Sequence, residues 1–269
     1  MKNIIIYLAA ISIITGLSSC KKEQPLQQSY FGFSSYEEAE ANLGVHIHYF
    51  DLVEGGIFMQ ATEQGNSGTI RWQLGAIFAD EVGLGLSDGG TYYLNEHKFT
   101  HNGQSYSLDG GDRLSDEEKG AIAAPMYGQT NTFRLERDGD NVFVTDYYIP
   151  ELIKVSNIPE NGFEVSQNDN INIEWNADNN NEHGVVIFLN WNGLNMSDYS
   201  SSQEMNRGLV VEDTGSATIN SNFFEDIPVG ANFSIYVVRG NAELKDADDN
   251  RSYTVNSHTM HRLSCQIVQ

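Results

Sequence analysis

The chain has 269 residues, with 37 Asp or Glu against 15 Lys or Arg, for a formal charge of −22 at neutral pH. An acidic surface of this kind repels phosphate backbones and anionic headgroups, which argues against nucleic acid as a partner and favours solubility or cationic ligands. The composition is rich in Gly, Asn, Asp, Tyr and Phe and poor in Pro, which suits short strands joined by tight polar turns.

The chain opens on Lys2 and an apolar run from Ile4 to Leu17, shorter than the roughly 20 residues of a membrane-spanning helix. Such a segment reads as a targeting leader and is set aside before the fold is argued. Its last four residues, Leu17-Ser18-Ser19-Cys20, resemble the lipobox of bacterial lipoproteins. That resemblance implies a signal peptide over residues 1–19, diacylglyceryl attachment to Cys20, cleavage before it and acylation (palmitate) of the new amino terminus. Residues 20–35 are mostly polar and read as a lipidated tether. Leader and tether resemble exported lipoproteins of the Bacteroidetes type, which implies anchoring at the outer membrane. Lys21-Lys22-Glu23 leaves both the cell-surface and the periplasmic face open.

The remainder reads as all-β: two antiparallel sandwich or barrel-like domains, with one short helix in the first. The first domain is expected over residues 36–158. Val45, Ile47 and Tyr49 alternate with His46, His48 and Phe50 on a first strand. Gly55-Gly56 is expected to turn the chain into Ile57–Ala61. After the turn at Gly65–Gly68, Ile70, Trp72 and Leu74 alternate with polar residues and complete a hairpin. Short strands follow around Tyr92–Leu94, Lys98-Phe99 and Ser105–Leu108. Ser115 with Glu118 three residues later is a capping box, Asp116 and Glu117 suit a helix N-terminus, and Pro125 closes the segment. A helix of two or three turns is therefore predicted near 115–124. Strands resume at Thr132–Leu135 and Val142–Val144 across an Arg137–Asn141 turn.

A turn-rich joint at Pro159–Gly162 leads to a second domain over residues 160–269. Ile171, Ile173 and Trp175 alternate, as do Val185, Ile187, Leu189 and Trp191, with Phe188 on the opposite face. Further strands are expected at Leu209–Val211, Ala217–Ile219, Phe233–Val238, Arg251–Val255 and His258–Val268. Seven or so short strands suit an antiparallel sandwich. With Trp175 as a core tryptophan and Phe224–Gly230 as the loop before the penultimate strand, this stretch resembles immunoglobulin-like or fibronectin type III-like modules. Alternation places His261, Leu263, Cys265 and Ile267 on one face, so Cys265 reads as a small buried hydrophobe.

No zinc-protease, nucleophile-elbow, phosphate-loop or dinucleotide motif is present in the sequence. His46 and His48, with His97 or His101, have residue types suited to a metal, but spacing alone gives no convergence. Glu54 and Glu174 are the carboxylates that stand out for a hydrolase. Asp246, Asp248, Asp249 and Asn250 offer oxygen ligands for a structural calcium, as do Asp138–Asn141; both stretches serve equally as solvated turns. No cofactor is required. Trp191 with Asn192, Asn195 and Tyr199 is the ligand-binding candidate, the rings covering a sugar face and the amides its hydroxyls; the same Trp191 fits the core face of its strand. The reading that follows is a non-enzymatic, membrane-anchored cell-envelope module for binding, adhesion or assembly. It would be held by its lipid and would meet a glycan or an envelope protein. A carbohydrate-binding lipoprotein for glycan capture is the alternative, with a glycoside hydrolase or other hydrolase behind it.

Overall fold

The computed structural model describes residues 55–64, 70–78, 90–101, 106–110, 113–159, 162–191, 205–246 and 252–269. The expected leader, the expected tether with Cys20 and the strand expected around His46 and His48 lie outside them. The described chain is all-β with one short α-helix. Its strands are β1 (Gly55–Gln64), β2 (Ile70–Phe78), β3 (Thr91–Leu94), β4 (His97–His101), β5 (Tyr106–Leu108), β6 (Gln129–Arg137) and β7 (Asp140–Ile149), then β8 (Phe163–Ser166), β9 (Ile171–Glu174), β10 (Val185–Trp191), β11 (Met205–Val211), β12 (Ser216–Ile219), β13 (Asn232–Asp246) and β14 (Ser252–Val268). The helix α1 spans Asp116–Ala123.

One continuous sheet runs β11-β10-β13-β14-β1-β2-β5-β4-β3-β6-β7, with β8 also on β14, and β9 pairs separately with β12. The long antiparallel hairpin β13–β14 is common to both halves. The first part of β14 pairs in parallel with β1, from Tyr253 opposite Gly55 to Arg262 opposite Gln64. Its last residues pair in parallel with β8. In the first half, β7 returns against this hairpin through side chains. Tyr147 donates its hydroxyl to Asn241 O, and Asn241 Nδ2 donates to Tyr148 O at 3.2 Å. The result is a barrel-like unit filled by Tyr92, Phe99, Phe133, Leu135, Phe143 and Tyr147, among others. In the second half, the β9–β12 pair faces the large sheet across a core that includes Ile173, Trp175, Ile187, Trp191, Ile235 and Leu263. This is a sandwich.

Local chemistry explains the elements. In α1, Glu118 N donates to Ser115 Oγ at 3.2 Å and Ser115 N donates to the Glu118 carboxylate at 2.8 Å, closing the predicted capping box. Pro125 sits in a 3-10 turn (Ala124–Met126) that continues from the helix. Asp138 (φ +53°) and Gly139 (φ +92°) make a two-residue hairpin turn between β6 and β7, so Asp140 and Asn141 already belong to β7. Gly55 and Gly56 also depart from expectation. They are strand residues, opposite Phe78 and Ile77 on one side and Tyr253 and Thr254 on the other. The segments expected as separate strands at 251–255 and 258–268 are one strand of 17 residues.

Candidate functional site

Two surfaces of the β13–β14 hairpin combine polar groups with space for a ligand. They lie on opposite faces, because successive strand residues point to opposite sides.

On the inner face, alternate residues Phe233, Ile235 and Val237 of β13 and Leu263, Cys265 and Ile267 of β14 are buried and apolar. The same face then turns polar with Arg239, Asn241, Ser257, Thr259 and His261, all buried, before Val255 restores the apolar barrel core. The side chain of Arg239 is 0% exposed and that of Asp213 2%; Nε donates to one carboxylate oxygen at 2.6 Å and Nη2 to the other at 2.9 Å. Asp213 also accepts from Trp175 Nε1 and Asn181 Nδ2, each at 2.9 Å. Burial by itself would raise the Asp213 pKa, but these hydrogen bonds and the Arg239 charge outweigh it and hold the carboxyl below its ordinary range. The remaining polar groups grip the connector 150–159. Arg239 donates to Glu151 O at 2.9 Å, Ile153 N donates to Thr259 Oγ1 at 3.1 Å, and Asp178 accepts from Glu151 N at 2.9 Å and from the Tyr148 hydroxyl.

Beside this layer, Glu63 of β1 lies in register with His261 of β14, its carboxylate 3.4 Å from Nδ1. His261 is wholly buried, and Nε2 has no hydrogen-bond partner among the described residues. Burial lowers its pKa, the Glu63 charge opposes that shift, and Lys154 adds to it; the net direction is down, so the imidazole is neutral. Glu63 also lines a cleft of about 590 Å³ between the two cores, with Lys154, Thr259, Ile70, Leu152 and Trp175.

The outer face carries a ladder of half-buried groups in one cross-strand row: Phe188 of β10, Tyr236 of β13 and Arg262 of β14. The two rings lie 5.9 Å apart at 33°, and the Arg262 guanidinium stands 5.7 Å from the Tyr236 centroid. Arg262 also donates to Ser234 Oγ from Nε at 3.2 Å and from Nη2 at 3.1 Å. A shallow cleft of about 540 Å³ extends from it, lined by polar side chains that include Asn190, Asn232, Ser234, Glu164 and Gln266.

The structure corrects one ligand candidate. Trp191 is 2% exposed and shares the inner face of β10 with Val185, Ile187 and Leu189, so its ring is sandwich core and not part of an open platform. Asn192, Asn195 and Tyr199 lie outside the described residues. So do Asp248, Asp249 and Asn250; Asp246 is described as the last residue of β13, paired with Ser252. Glu174 is exposed on β9, where it accepts from Asn172 Nδ2 at 3.2 Å. Among the described residues no group of three or more His, Cys, Asp or Glu converges as a metal site. His258 and His261 fall on opposite faces of β14, as alternation requires, and burial pushes the Cys265 thiol up to about 12.

Phe188, Tyr236 and Arg262 belong to strands whose alternation was legible, but only the pairing of β10, β13 and β14 puts them in one row. Glu63 and His261 meet through a parallel pairing for which the sequence carries no local signal. No known protein family matches the chain, and no curated protein matches it at a significant level.

Proposed function

We propose that this protein is a lipid-anchored cell-envelope lipoprotein whose β-body binds a ligand and does not catalyse a reaction. The anchoring part rests on Leu17-Ser18-Ser19-Cys20 and the apolar run before it. Several acyl chains hold a protein at a membrane where one alone is marginal. An outer-membrane position, at the cell surface, suits a β-body carried on a polar tether, and the second half serves as an immunoglobulin-like presentation module.

The binding part rests on one observation, the Phe188–Tyr236–Arg262 row with its polar cleft. Aromatic rings offer flat apolar area at low entropic cost, and a guanidinium and amides fix hydroxyl groups around it. A rigid sheet face holds these groups in place without loop ordering. This chemistry suits a polyhydroxylated ligand, so envelope or nutrient glycan is the ligand class, met at this face and not at Trp191.

Two variants test the two parts. Cys20→Ala is expected to release the protein from the membrane fraction and to abolish acyl labelling; an unchanged distribution would overturn the anchor. Tyr236→Ala is expected to weaken retention on a polysaccharide panel by about tenfold or more, as loss of a central aromatic contact does. A panel that retains neither wild type nor variant would remove the glycan reading.

A further inference from the structure

The junction cleft is separate from the outer face and has a polarity of its own. Its walls are apolar at Ile70, Leu152 and Trp175, and the Trp175 indole N–H is already committed to Asp213. Glu63 is 6% exposed, and the donor beside its carboxylate among the described residues is His261 Nδ1, at a long 3.4 Å. That imidazole is neutral and brings no full positive charge to Glu63, and its Nε2 is buried without a partner among the described residues. A carboxylate held this way keeps a strong demand for a donor. The cleft is the open space it faces.

At the exposed side of the same cleft stands Lys154. Its backbone is fixed, since Lys154 N donates to Asn176 Oδ1 at 2.7 Å, while its ammonium pairs with no carboxylate among the described residues. Thr259 accepts from Ile153 N and keeps its own hydroxyl proton to donate. A simple cation would satisfy Glu63 but would be repelled by Lys154, and a simple anion would meet the reverse. A ligand carrying both charges a few bonds apart satisfies both and lays its apolar part on the walls.

We propose that the cleft between the two cores binds a small zwitterion with an apolar body, of the size of a hydrophobic amino acid or dipeptide. Its ammonium would lie on Glu63 and its carboxylate at Lys154.

Titration calorimetry of the full-length chain in detergent tests this with leucine and leucyl-leucine as probes. Both are tested because the same pair of charges occurs in either. Saturable binding of at least one is expected. N-acetylleucine, which lacks the ammonium, should bind about tenfold more weakly or worse, and leucinamide, which lacks the carboxylate, several-fold more weakly. Glu63→Gln should reproduce the first loss. Lys154→Met, at an exposed position that the fold tolerates, should reproduce the second. Tyr236→Ala should change neither, which separates this site from the outer face. Absence of saturable binding at millimolar concentration overturns the proposal, and so does N-acetylleucine binding as well as leucine.

Discussion

Arg239 and Asp213 form a two-pronged ion pair at the boundary between the two hydrophobic cores, the guanidinium 0% and the carboxylate 2% exposed. Arg239 is a β13 residue whose inner-face neighbours toward the sandwich are Val237 and Ile235, and a charge there is an interruption of the core. Four of its five N–H donors are engaged: two go to Asp213, one to Glu151 O and one to Asn176 O. One side chain thereby ties the sheet, the turn after β11, the loop after β9 and the connector 150–159. A buried ion pair contributes little net stability over an apolar substitute, but breaking one half leaves a charge in a poor solvent.

Arg239→Met is therefore expected to lower unfolding free energy by about 3–5 kcal/mol, because Asp213 then stays buried without its cation. Arg239→Met combined with Asp213→Asn should recover part of the loss. Asparagine keeps an acceptor for Trp175 Nε1 and removes the charge. Urea midpoints of the three proteins measure this; a double variant no better than the single one would mean that geometry, and not charge, is what Arg239 supplies.

Acid should unfold the protein in two stages. His261 and His258 both have pKa values lowered by burial, His258 to about 4, so the unfolded chain binds their protons first. Stability is then full above the unfolded histidine value near 6.5 and declines as pH falls below it. Asp213 acts in a lower window. Its folded pKa lies under the unfolded value of about 3.9, so its contribution is intact above that value and is lost as pH falls below it. Melting temperatures from pH 8 to pH 3 should show both declines; His261→Gln should reduce the upper one, leaving the His258 share, and should leave the lower one unchanged.

The parts of this fold that were legible in sequence are those set by neighbours in the chain. The β1–β2 and β6–β7 hairpins, the capping box at Ser115 and Glu118, and the inner sets Val185–Trp191 and His261–Ile267 follow from turn chemistry and period-two alternation. The junction was not legible. Asn256, Ser257 and Thr259 look like a polar break between two strands, yet they continue one strand, because Ser257 donates to the Tyr147 hydroxyl and Thr259 accepts from Ile153 N. Glu63 and His261 meet through a parallel pairing of segments from opposite ends of the described chain, and no local pattern encodes such a pairing. The proposed anchor at Cys20 rests on a sequence motif, Leu17-Ser18-Ser19-Cys20, which is readable without any fold.

Gly120 gives a prediction that runs against helix propensity. In the middle of α1 an alanine would ordinarily stabilise by up to about 1 kcal/mol. Here a Cβ would lie 2.8 Å from Trp72 Nε1 and 3.3 Å from the adjoining ring carbon. Trp72 is itself held edge-on by Tyr127, 5.7 Å between centroids, so the indole cannot swing aside freely. Gly120→Ala should therefore destabilise by about 1–3 kcal/mol, the usual result of overpacking. It should also shift tryptophan emission as α1 lifts from β2. A higher melting temperature for this variant would show that Trp72 yields.

Trp191 separates packing from ligand contact most directly. Its ring lies among Ile187, Leu189 and Ile235 in the sandwich core, while Phe188, its neighbour on the opposite face, borders the proposed glycan surface. Trp191→Ala should cost about 3–5 kcal/mol through lost burial and the cavity left behind. Trp191→Phe keeps an apolar ring and should cost less. Because the ring does not reach the outer face, Trp191→Phe should retain full polysaccharide affinity below its lowered melting temperature, whereas Tyr236→Ala should keep its stability and lose affinity. Equal loss of affinity in both variants would return Trp191 to the binding surface and displace the Tyr236 row from it.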